Sequence, residues 1–581
     1  MKNKTIKLVG INGRYTHSCL ALFYLRGELE RRAPQLDLEL CQFTINDNHF
    51  ETLLRLASGE PSAILFSAVI WNSDRVERLI IDLRRILPQT LLVVGGPQAE
   101  VVGGNLPGIR LTVVKGEVEA LPDAFFSGLA EGTLKERYEV SFFKMSGRDF
   151  AFPYRDEDFI GDDAPLANRH VYYESSKGCP FRCSYCLSSV ETGVYHKDVQ
   201  RVKEELRAIL RHQPKIIRFI DRTFNDIPER VMGIWRFLKE EGGETCFHFE
   251  MAPDRFTEEM FTFLEDVPVG RFQFEVGIQS TDQQVLDAVH RTTAGKAMRE
   301  NIFRLSAMGR IHLHLDLILG LPFGTRESFA RSFRDVFAMG GHYIQMGLLK
   351  VLPDTEMARR ALEYGMVCTA ETPYAVLRTR WLPAAELASL YWYSELVEKF
   401  MNNRCFSALW SWLRRTGEDI YLFFERLLEI CRKEGFFSLA ATHELMCEQL
   451  LRLFAGRADE TLLRELLLFD WLRCGHRFLP KCLTEETGET PGETRSFCQQ
   501  SAAEEIDGLY DRRGRGRFFR KAFFVRISPQ LSRILCDEYS LHQPVLCVLA
   551  EHDGGLQGWN RVVLLETEGE TDYAGEVAGG V

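Results

Sequence analysis

Short apolar runs alternate with amphipathic stretches twice along this chain, and that alternation restricts the fold more than any other property. In the first 120 residues, Ile6–Ile11 is an apolar run and Leu20–Arg32 is amphipathic; Leu36–Ile45 alternates like a strand, and Ala63–Trp71 has the composition of a buried one. Asp74–Ile86 has helical spacing, with Val76, Leu79, Ile80 and Leu83 on one face, and Thr90–Val94 and Leu111–Val114 are further strand candidates. Strands alternating with helices imply a parallel sheet with crossover connections. The order predicts a five-stranded, doubly wound (flavodoxin-like) α/β domain over residues 1–135, whose ligands sit at the C-terminal ends of the strands. Asn12–Ser18, Ser67, Gly95-Gly96-Pro97 and Gly116-Glu117 fall at those ends, and each of these glycines also suits a turn that needs positive φ.

Residues 136–168 form a polar, irregular connection, after which a second alternation begins. Its strand candidates are Val171–Glu174, Ile216–Ile220, Phe247–Met251, Phe272–Ile278, Leu313–Leu319 and Tyr343–Val351, with helical stretches between them. Six strand–helix units in this length predict a partial or full α/β (TIM-like) barrel over 169–378, whose chemistry belongs where strands end and loops begin. From 379 to 581 the long apolar periodicities of Ala384–Asn402, Phe406–Arg415, Asp419–Lys433 and Ala440–Ala455 predict an α-rich C-terminal module. Thr484–Thr494 looks like a loop. Arg512–Lys521 gathers basic residues beside Phe518 and Phe519, either as a solvated charge cluster or as a nucleic-acid contact.

Composition narrows the class. The chain has 581 residues, 45% apolar and 26% charged, which is ordinary for globular domains and argues against disorder or a rod. A net charge of −11 disfavours a globally basic nucleic-acid binder. The longest apolar runs are about half of a membrane span, and no secretory apolar region follows Lys2, Lys4 and Lys7, so a cytoplasmic protein without membrane insertion is expected. There the 15 cysteines are expected to be reduced thiols. Cys41, Cys246, Cys368, Cys405 and Cys431 are scattered singly and are expected to be packing residues.

Three cysteines are not scattered. The segment Ser175-Ser176-Lys177-Gly178-Cys179-Pro180-Phe181-Arg182-Cys183-Ser184-Tyr185-Cys186 directly follows a predicted strand and can aim three sulfurs at one point. Thiolates suit soft iron sites, and a cubane that ordinarily takes four cysteines keeps one iron open when it has three. An open iron can bind a small molecule directly. A structural zinc is the competing reading. It wants a fourth Cys or His, and His170 and His196 are near, but no second CxxC pair occurs in the chain.

The CxxxCxxC spacing, with aromatic Tyr185 before the last cysteine and a barrel strand before the loop, resembles the radical S-adenosylmethionine (SAM) superfamily. Later segments resemble it too: Phe219–Phe224 its FxDxxF, Glu275–Ser280 its EGLQS-type strand, Asp316–Pro322 its DxIxGLP, and Leu352–Thr355 its LPGT with Asp354 in place of Gly. The resemblance implies a [4Fe-4S] cluster on Cys179, Cys183 and Cys186. It also implies SAM chelated to the open iron and cleaved to a 5′-deoxyadenosyl radical, near Tyr185, Glu250, Gln279, Ser280 and Gly320.

A doubly wound domain ahead of such a barrel resembles the B12-binding-domain radical SAM proteins, in particular a bacterial subgroup with an uncharacterised helical C-terminal domain, at Tyr172–Pro180 and Leu187-Ser188-Ser189. That resemblance implies cobalamin as a further cofactor. Asn12, His17, Ser67, Gly95, Gly96, Gly116 and Glu117 are the candidate contacts. Asn12–Ser18 departs from the DxHxxG pattern of methionine-synthase-like domains, which weakens His17 as a cobalt ligand and leaves it a loop-lining alternative. The function implied is methylation of an unactivated centre of a small-molecule or biosynthetic-intermediate substrate, with an electron donor such as flavodoxin or ferredoxin as partner. The alternatives are radical SAM chemistry without methyl transfer (cyclisation, rearrangement or methylthiolation) and a sensor without turnover. Methylthiolation is disfavoured because the front domain holds only Cys19 and Cys41 for an additional cluster. The sequence assigns no acid, base or radical relay, and the tail is expected to choose the substrate.

Overall fold

The computed structural model describes residues 4–292, 295–476, 479–484, 491–501, 515–535, 544–552, 556 and 558–566. Residues 485–490 of the expected loop and 512–514 of the basic segment lie outside the described residues. Among the described residues, no helix is long and apolar enough to cross a membrane. The chain divides into two compact units, Met1–Asn301 with Ile318–Thr325 and Leu348–Leu387, and Ile302–Leu317 with Arg326–Gly347 and Ala388–Val581.

The first unit begins with β1 (Thr5–Asn12), α1 (Leu20–Arg32), β2 (Asp37–Thr44), α2 (His49–Ala57), β3 (Ala63–Ser67), α3 (Ser73–Ile86), β4 (Leu91–Gly95), α4 (Ala99–Asn105), β5 (Thr112–Lys115), α5 (Asp123–Glu131) and β6 (Arg137–Glu139). The strands pair in parallel in the order β2-β1-β3-β4-β5-β6. Alternate residues of each strand enter opposite cores. Val9, Ile11, Ile64 and Phe66 pack with Val76, Leu79 and Val102 of α3 and α4, whereas Ile6, Leu8 and Leu65 pack with Leu22, Leu29, Phe125 and Phe126 of α1 and α5. This is the doubly wound domain expected, with one strand more than the five read from the sequence. β6 is three residues long and buries only Tyr138, so its polar flanks Arg137 and Glu139 conceal it within the segment taken as connection.

The rest of that connection is not a free tether. Asp158, 1% exposed, accepts two 2.6 Å hydrogen bonds from the guanidinium of Arg26 on α1. The Tyr154 hydroxyl donates to the Tyr172 carbonyl, and Phe142, Phe150 and Tyr195 pack edge to face.

The barrel elements follow: β7 (Val171–Tyr173), β8 (Ser176–Gly178), β9 (Val194–His196), α6 (Val199–Leu210), β10 (Ile216–Phe219), α7 (Pro228–Glu241), β11 (Cys246–Met251), α8 (Glu258–Leu264), β12 (Phe272–Gln279), α9 (Gln283–Ala288), α10 (Gly295–Ala307), β13 (His312–Leu319), α11 (Arg326–Ala338) and β14 (Tyr343–Leu348). Pro228 starts α7, where its missing N–H costs nothing, and Asp198, Thr257 and Asp282 cap α6, α8 and α9 through side-chain oxygens. Within the first unit β7, β10, β11 and β12 pair in parallel in that order. At the end of β13, the Leu349 N–H donates to the Leu319 carbonyl. Phe219, Phe249, Phe272 and Phe274 form an aromatic layer around buried Trp235 of α7. The intervening positions Arg218, His248, Glu250 and Glu275 belong to the opposite, polar face.

After α12 (Glu356–Arg360) and the small hairpin β15 (Val367–Cys368) and β16 (Val376–Arg378), the tail runs through α13 (Ala384–Phe400), α14 (Ser407–Thr416), α15 (Ile420–Lys433), α16 (His443–Phe454) and α17 (Glu460–Arg473). In the second unit Phe333 of α11, Tyr393 of α13, Trp410 of α14 and Phe424 of α15 pack together, and Arg334 pairs with Asp419 at 2.8 Å. The tail is helix-rich as expected. It also carries an antiparallel sheet, β17 (Phe523–Arg526), β18 (Pro544–His552) and β19 (Asn560–Glu566), which the sequence reading did not anticipate.

Candidate active site

The three cysteines lie on a loop tied at its base. β8 and β9 pair antiparallel, Ser176 against His196 and Gly178 against Val194, closing residues 179–193 into a loop. Gly178 has φ +88°, and a Cβ there would stand 2.1 Å from the Gly193 carbonyl oxygen, so only glycine suits this turn. Asp221, fully buried, accepts hydrogen bonds from the Ser175 N–H (3.0 Å), the Ser175 hydroxyl (2.6 Å) and the Ser176 hydroxyl (2.5 Å). The acid of the FxDxxF segment thus anchors the strand end from which the loop departs. Further along, the Ser184 N–H donates to the Val289 carbonyl, and the Met357 N–H to the Ser184 carbonyl.

Cys179, Cys183, Cys186 and Tyr185 share one packed patch with Phe181 and Ala252, and the Asn225 side chain holds Ala252 by two hydrogen bonds. Burial pushes the Cys179 thiol up, opposed in part by Thr223, whose hydroxyl lies 3.6 Å from its sulfur. Arg291 sends Nη1 to within 3.7 Å of Cys183 Sγ and anchors Nη2 on the Gly277 carbonyl. Three cysteines of one packed patch, with a guanidinium beside Cys183, suit an iron–sulfur cluster.

At the β11 and β12 ends lie the residues expected to meet SAM. Burial raises the Glu250 carboxyl to about 7, with Glu275 and Asp221 adding to the effect and Arg222, 4.0 Å away, opposing it. Gln279 has φ +69°, a strained conformation for a side chain other than glycine, and its Oε1 is buried without a hydrogen-bond partner among the described residues. An acceptor placed this way beside a thiol-rich loop suits a donor on a bound ligand. Ser280 is buried, and its hydroxyl accepts the Asp282 N–H. Gly320, at φ +86°, directs the chain against Val376. Asp354, where the LPGT pattern has glycine, adopts φ +68° as that glycine would, and its carboxylate pairs with Lys115 at 2.9 Å.

Next to this loop is a cavity of about 660 Å³. Its walls include Ser67, Gly95, Gly96, Gly116 and Glu117 from the C-terminal ends of β3, β4 and β5, and Gly178, Leu187 and Ser188 from the cysteine loop. A Cβ on Gly116, at φ +107°, would lie 2.0 Å from the Val140 carbonyl oxygen, so the backbone here must stay bare. Burial raises the Glu117 carboxyl, which accepts the Phe142 N–H. Lys177 projects into the cavity wall between Glu174 (2.8 Å) and Glu119 (3.4 Å), and those carboxylates overcome its burial and hold its pKa up.

Asn12 and His17 are not among the cavity residues. Asn12 is buried and donates weakly to Gln42. His17 Nδ1 lies 3.0 Å from the Tyr172 hydroxyl, and burial together with Arg218 and Arg14 lowers its pKa. The Ser18 hydroxyl and the Thr16 carbonyl both bond the His170 backbone, so this loop is joined to the start of β7. Sequence reasoning did not single out Lys177, Glu119, Arg291 or Asp221 as site residues. Asp221 and Lys177 lay inside quoted motifs, whereas Arg291 lies in a segment with no periodic signal.

Residues 173–336 match the radical SAM superfamily, and this part of the chain is a radical SAM domain. Residues 362–528 match a second family, described as protein of unknown function (DUF4080). The chain is 24% identical over 400 residues to the cobalamin-dependent radical SAM methyltransferase TokK of Streptomyces tokunonensis, covering 60% of this chain and 58% of that protein. It is 25% identical over 427 residues to the 2-(S-pantetheinyl)-carbapenam-3-carboxylate methyltransferase of Streptantibioticus cattleyicolor, covering 64% and 62%. The match thus spans about three fifths of each relative's length. Among solved structures, the cobalamin-dependent SAM radical enzyme OxsB, with aqua-cobalamin and SAM bound, superposes with a TM-score of 0.53 at 15% identity, over 81% of this chain and 79% of that one. At that identity the likeness is one of fold.

Proposed function

We propose that this chain is a cobalamin-dependent radical SAM enzyme that methylates an unactivated centre of a small-molecule substrate. The observation that carries the reading is the cavity in which the small residues of the β3, β4 and β5 ends share walls with the cysteine loop. Two cofactors that must react with one substrate need such adjoining sites. When bound, the cluster and SAM supply a radical that activates the substrate, and cobalamin supplies the methyl group.

The chain's own part is to hold, orient and exclude. Cys179, Cys183 and Cys186 provide the thiolates, and Arg291 places a positive charge beside Cys183. Tyr185, Glu250, Gln279, Ser280 and Gly320 are the proposed SAM contacts, supported by the unpaired Gln279 oxygen and the raised Glu250 carboxyl. Ser67, Gly95, Gly96, Gly116 and Glu117 are the proposed cobalamin contacts, supported by the bare backbone at Gly116. Asn12 and His17 are left out of that set, because neither lines the cavity. The domain assignment in this reading is a cobalamin-binding domain over 1–135, a packed connection over 136–168, a radical SAM barrel over 169–378 and a C-terminal domain over 379–581. A cytoplasmic location and a flavodoxin or ferredoxin as electron donor complete it.

The test is SAM product analysis on anaerobically reconstituted protein with hydroxocobalamin and a strong reductant. The expected products are 5′-deoxyadenosine, lost in Cys183→Ala, and S-adenosylhomocysteine, formed only with cobalamin present. Failure to retain cobalamin, with 5′-deoxyadenosine still formed, would replace methyl transfer by another radical SAM reaction.

A further inference from the structure

The helical tail brings together thiol and imidazole groups that play no part in the cluster chemistry. We propose that Cys405, His443 and Cys474 bind one zinc ion in the second unit. Their ligand atoms lie within 4.8 Å of one another. They come from three separate places: Cys405 lies just before α14, His443 is the first residue of α16, and Cys474 caps the C-terminus of α17. No short-range spacing reveals such a set, and Cys405 has the sequence context of a packing thiol.

The groups are arranged as ligands need to be. The Cys405 N–H is held by the Asn403 side chain at 2.8 Å, and Cys474 Sγ lies 3.7 Å from the Cys405 carbonyl. His443 Nδ1 stands 2.9 Å from His476 Nε2, while His443 Nε2 is buried with no hydrogen-bond partner among the described residues. An imidazole anchored through one nitrogen and presenting the other is the orientation that outer hydrogen bonds give to metal-binding histidines. The rings of Trp471 and Phe406 flank His443 at 4.5 and 4.9 Å, which keeps water from that nitrogen.

The donor set selects the metal. Two thiolates and one imidazole suit zinc, whose bonds of about 2.3 Å to sulfur and about 2.0 Å to nitrogen place tetrahedral ligands roughly 3.5–3.8 Å apart. The present spread closes to that by about 1 Å of side-chain movement. On binding, both thiols release their protons to solvent, and the two thiolate charges balance the dication. A solvent water would complete the tetrahedron, so this is the open kind of site with three protein ligands and not the closed four-ligand kind. The ion would tie three segments that Asp470 already begins to join, since its carboxylate accepts the Ala408 and Leu409 N–H groups at the start of α14.

The experiment uses full-length protein purified anaerobically, with zinc and iron measured separately by mass spectrometry and the zinc environment read by X-ray absorption. The expected result is about one zinc per chain with two sulfurs at about 2.3 Å. Zinc falls about tenfold in Cys474→Ser and in His443→Gln while iron is retained, and Cys179→Ala leaves zinc in place. Zinc well below stoichiometric after incubation with zinc chloride, a coordination shell without sulfur, zinc unchanged in His443→Gln, or a Cys405–Cys474 disulfide in the anaerobic protein would each overturn the proposal. Should a variant fail to fold, the absorption spectrum of the unaltered protein decides. The proposal is independent of the methylation reading.

Discussion

Replacing Asp221 by alanine removes the acceptor on which the start of the cysteine loop hangs. Three donors lose it at once: the Ser175 N–H and the hydroxyls of Ser175 and Ser176. A hydrogen bond to a charged group contributes about 1.5–3 kcal/mol, and three such bonds sharing one acceptor are not additive. The hydroxyls can turn to new partners, but the amide cannot. Arg230 loses support too, because burial disfavours its charge, Asp221 favours it, and its guanidinium bonds the Ser175 carbonyl and hydroxyl. The combined local destabilisation is expected to be about 4 kcal/mol, which corresponds to roughly a thousandfold faster exchange of the 175–178 amides. A chain of several domains does not unfold in one step, so hydrogen exchange followed peptide by peptide is the suitable assay. Asp221→Asn, which keeps the shape and one acceptor, should fall between. Iron retained after reconstitution should drop in the same order. Exchange in Asp221→Ala within about tenfold of the unaltered protein would refute the anchoring role.

Gly116→Ala places a Cβ against the Val140 carbonyl at a positive φ; hydrogen exchange of the amides around residues 112–116 should speed up by at least about tenfold and cobalamin should be lost on gel filtration, and unchanged exchange would contradict this. Glu250 ionises near 4.5 when unfolded but holds its proton to about 7 when folded, so its contribution to stability declines as pH rises between those values. Hydrogen-exchange protection of the 246–251 amides, corrected for intrinsic rates and measured from pH 4.5 to 7.5, should show that decline in the unaltered protein and lose it in Glu250→Gln. Arg291→Gln removes a positive charge beside Cys183; in a redox titration followed by electron paramagnetic resonance, the cluster potential should move more negative by about 20–60 mV, and a positive shift would show that the guanidinium does not stabilise the reduced state.

Periodicity made the strands and helices of the first unit legible, because long apolar alternation survives any tertiary detail. Pro228–Glu241 ends where its sequence pattern ends, as does Arg326–Ala338 in the second unit. What stayed hidden was short or polar. β6 offers one buried residue in three, and β17 to β19 follow a helical tail whose composition gives no warning. At the site, the cysteine spacing is local and therefore visible. The Gln279 backbone strain is not, since nothing in a glutamine announces a positive φ. The salt bridge of Lys177 with Glu119 joins residues far apart in the chain, and the Cys405, His443 and Cys474 group spans three helices. Long-range convergence of single residues leaves no periodic trace.

The bonds from Arg26 to Asp158 and from Tyr154 to Tyr172 fix where this chain can be recombined with others. A chimera that cut at residue 136 would carry Asp158 away with the barrel and leave Arg26 behind as a buried cation facing a foreign surface. A cut at 168 would keep that pair but strip the barrel of Phe142, Phe150 and Tyr154, exposing Tyr195 and the flanks of Lys177 and Lys197. Shuffling between such proteins therefore has to move the front domain, the connection and the barrel as one inherited block.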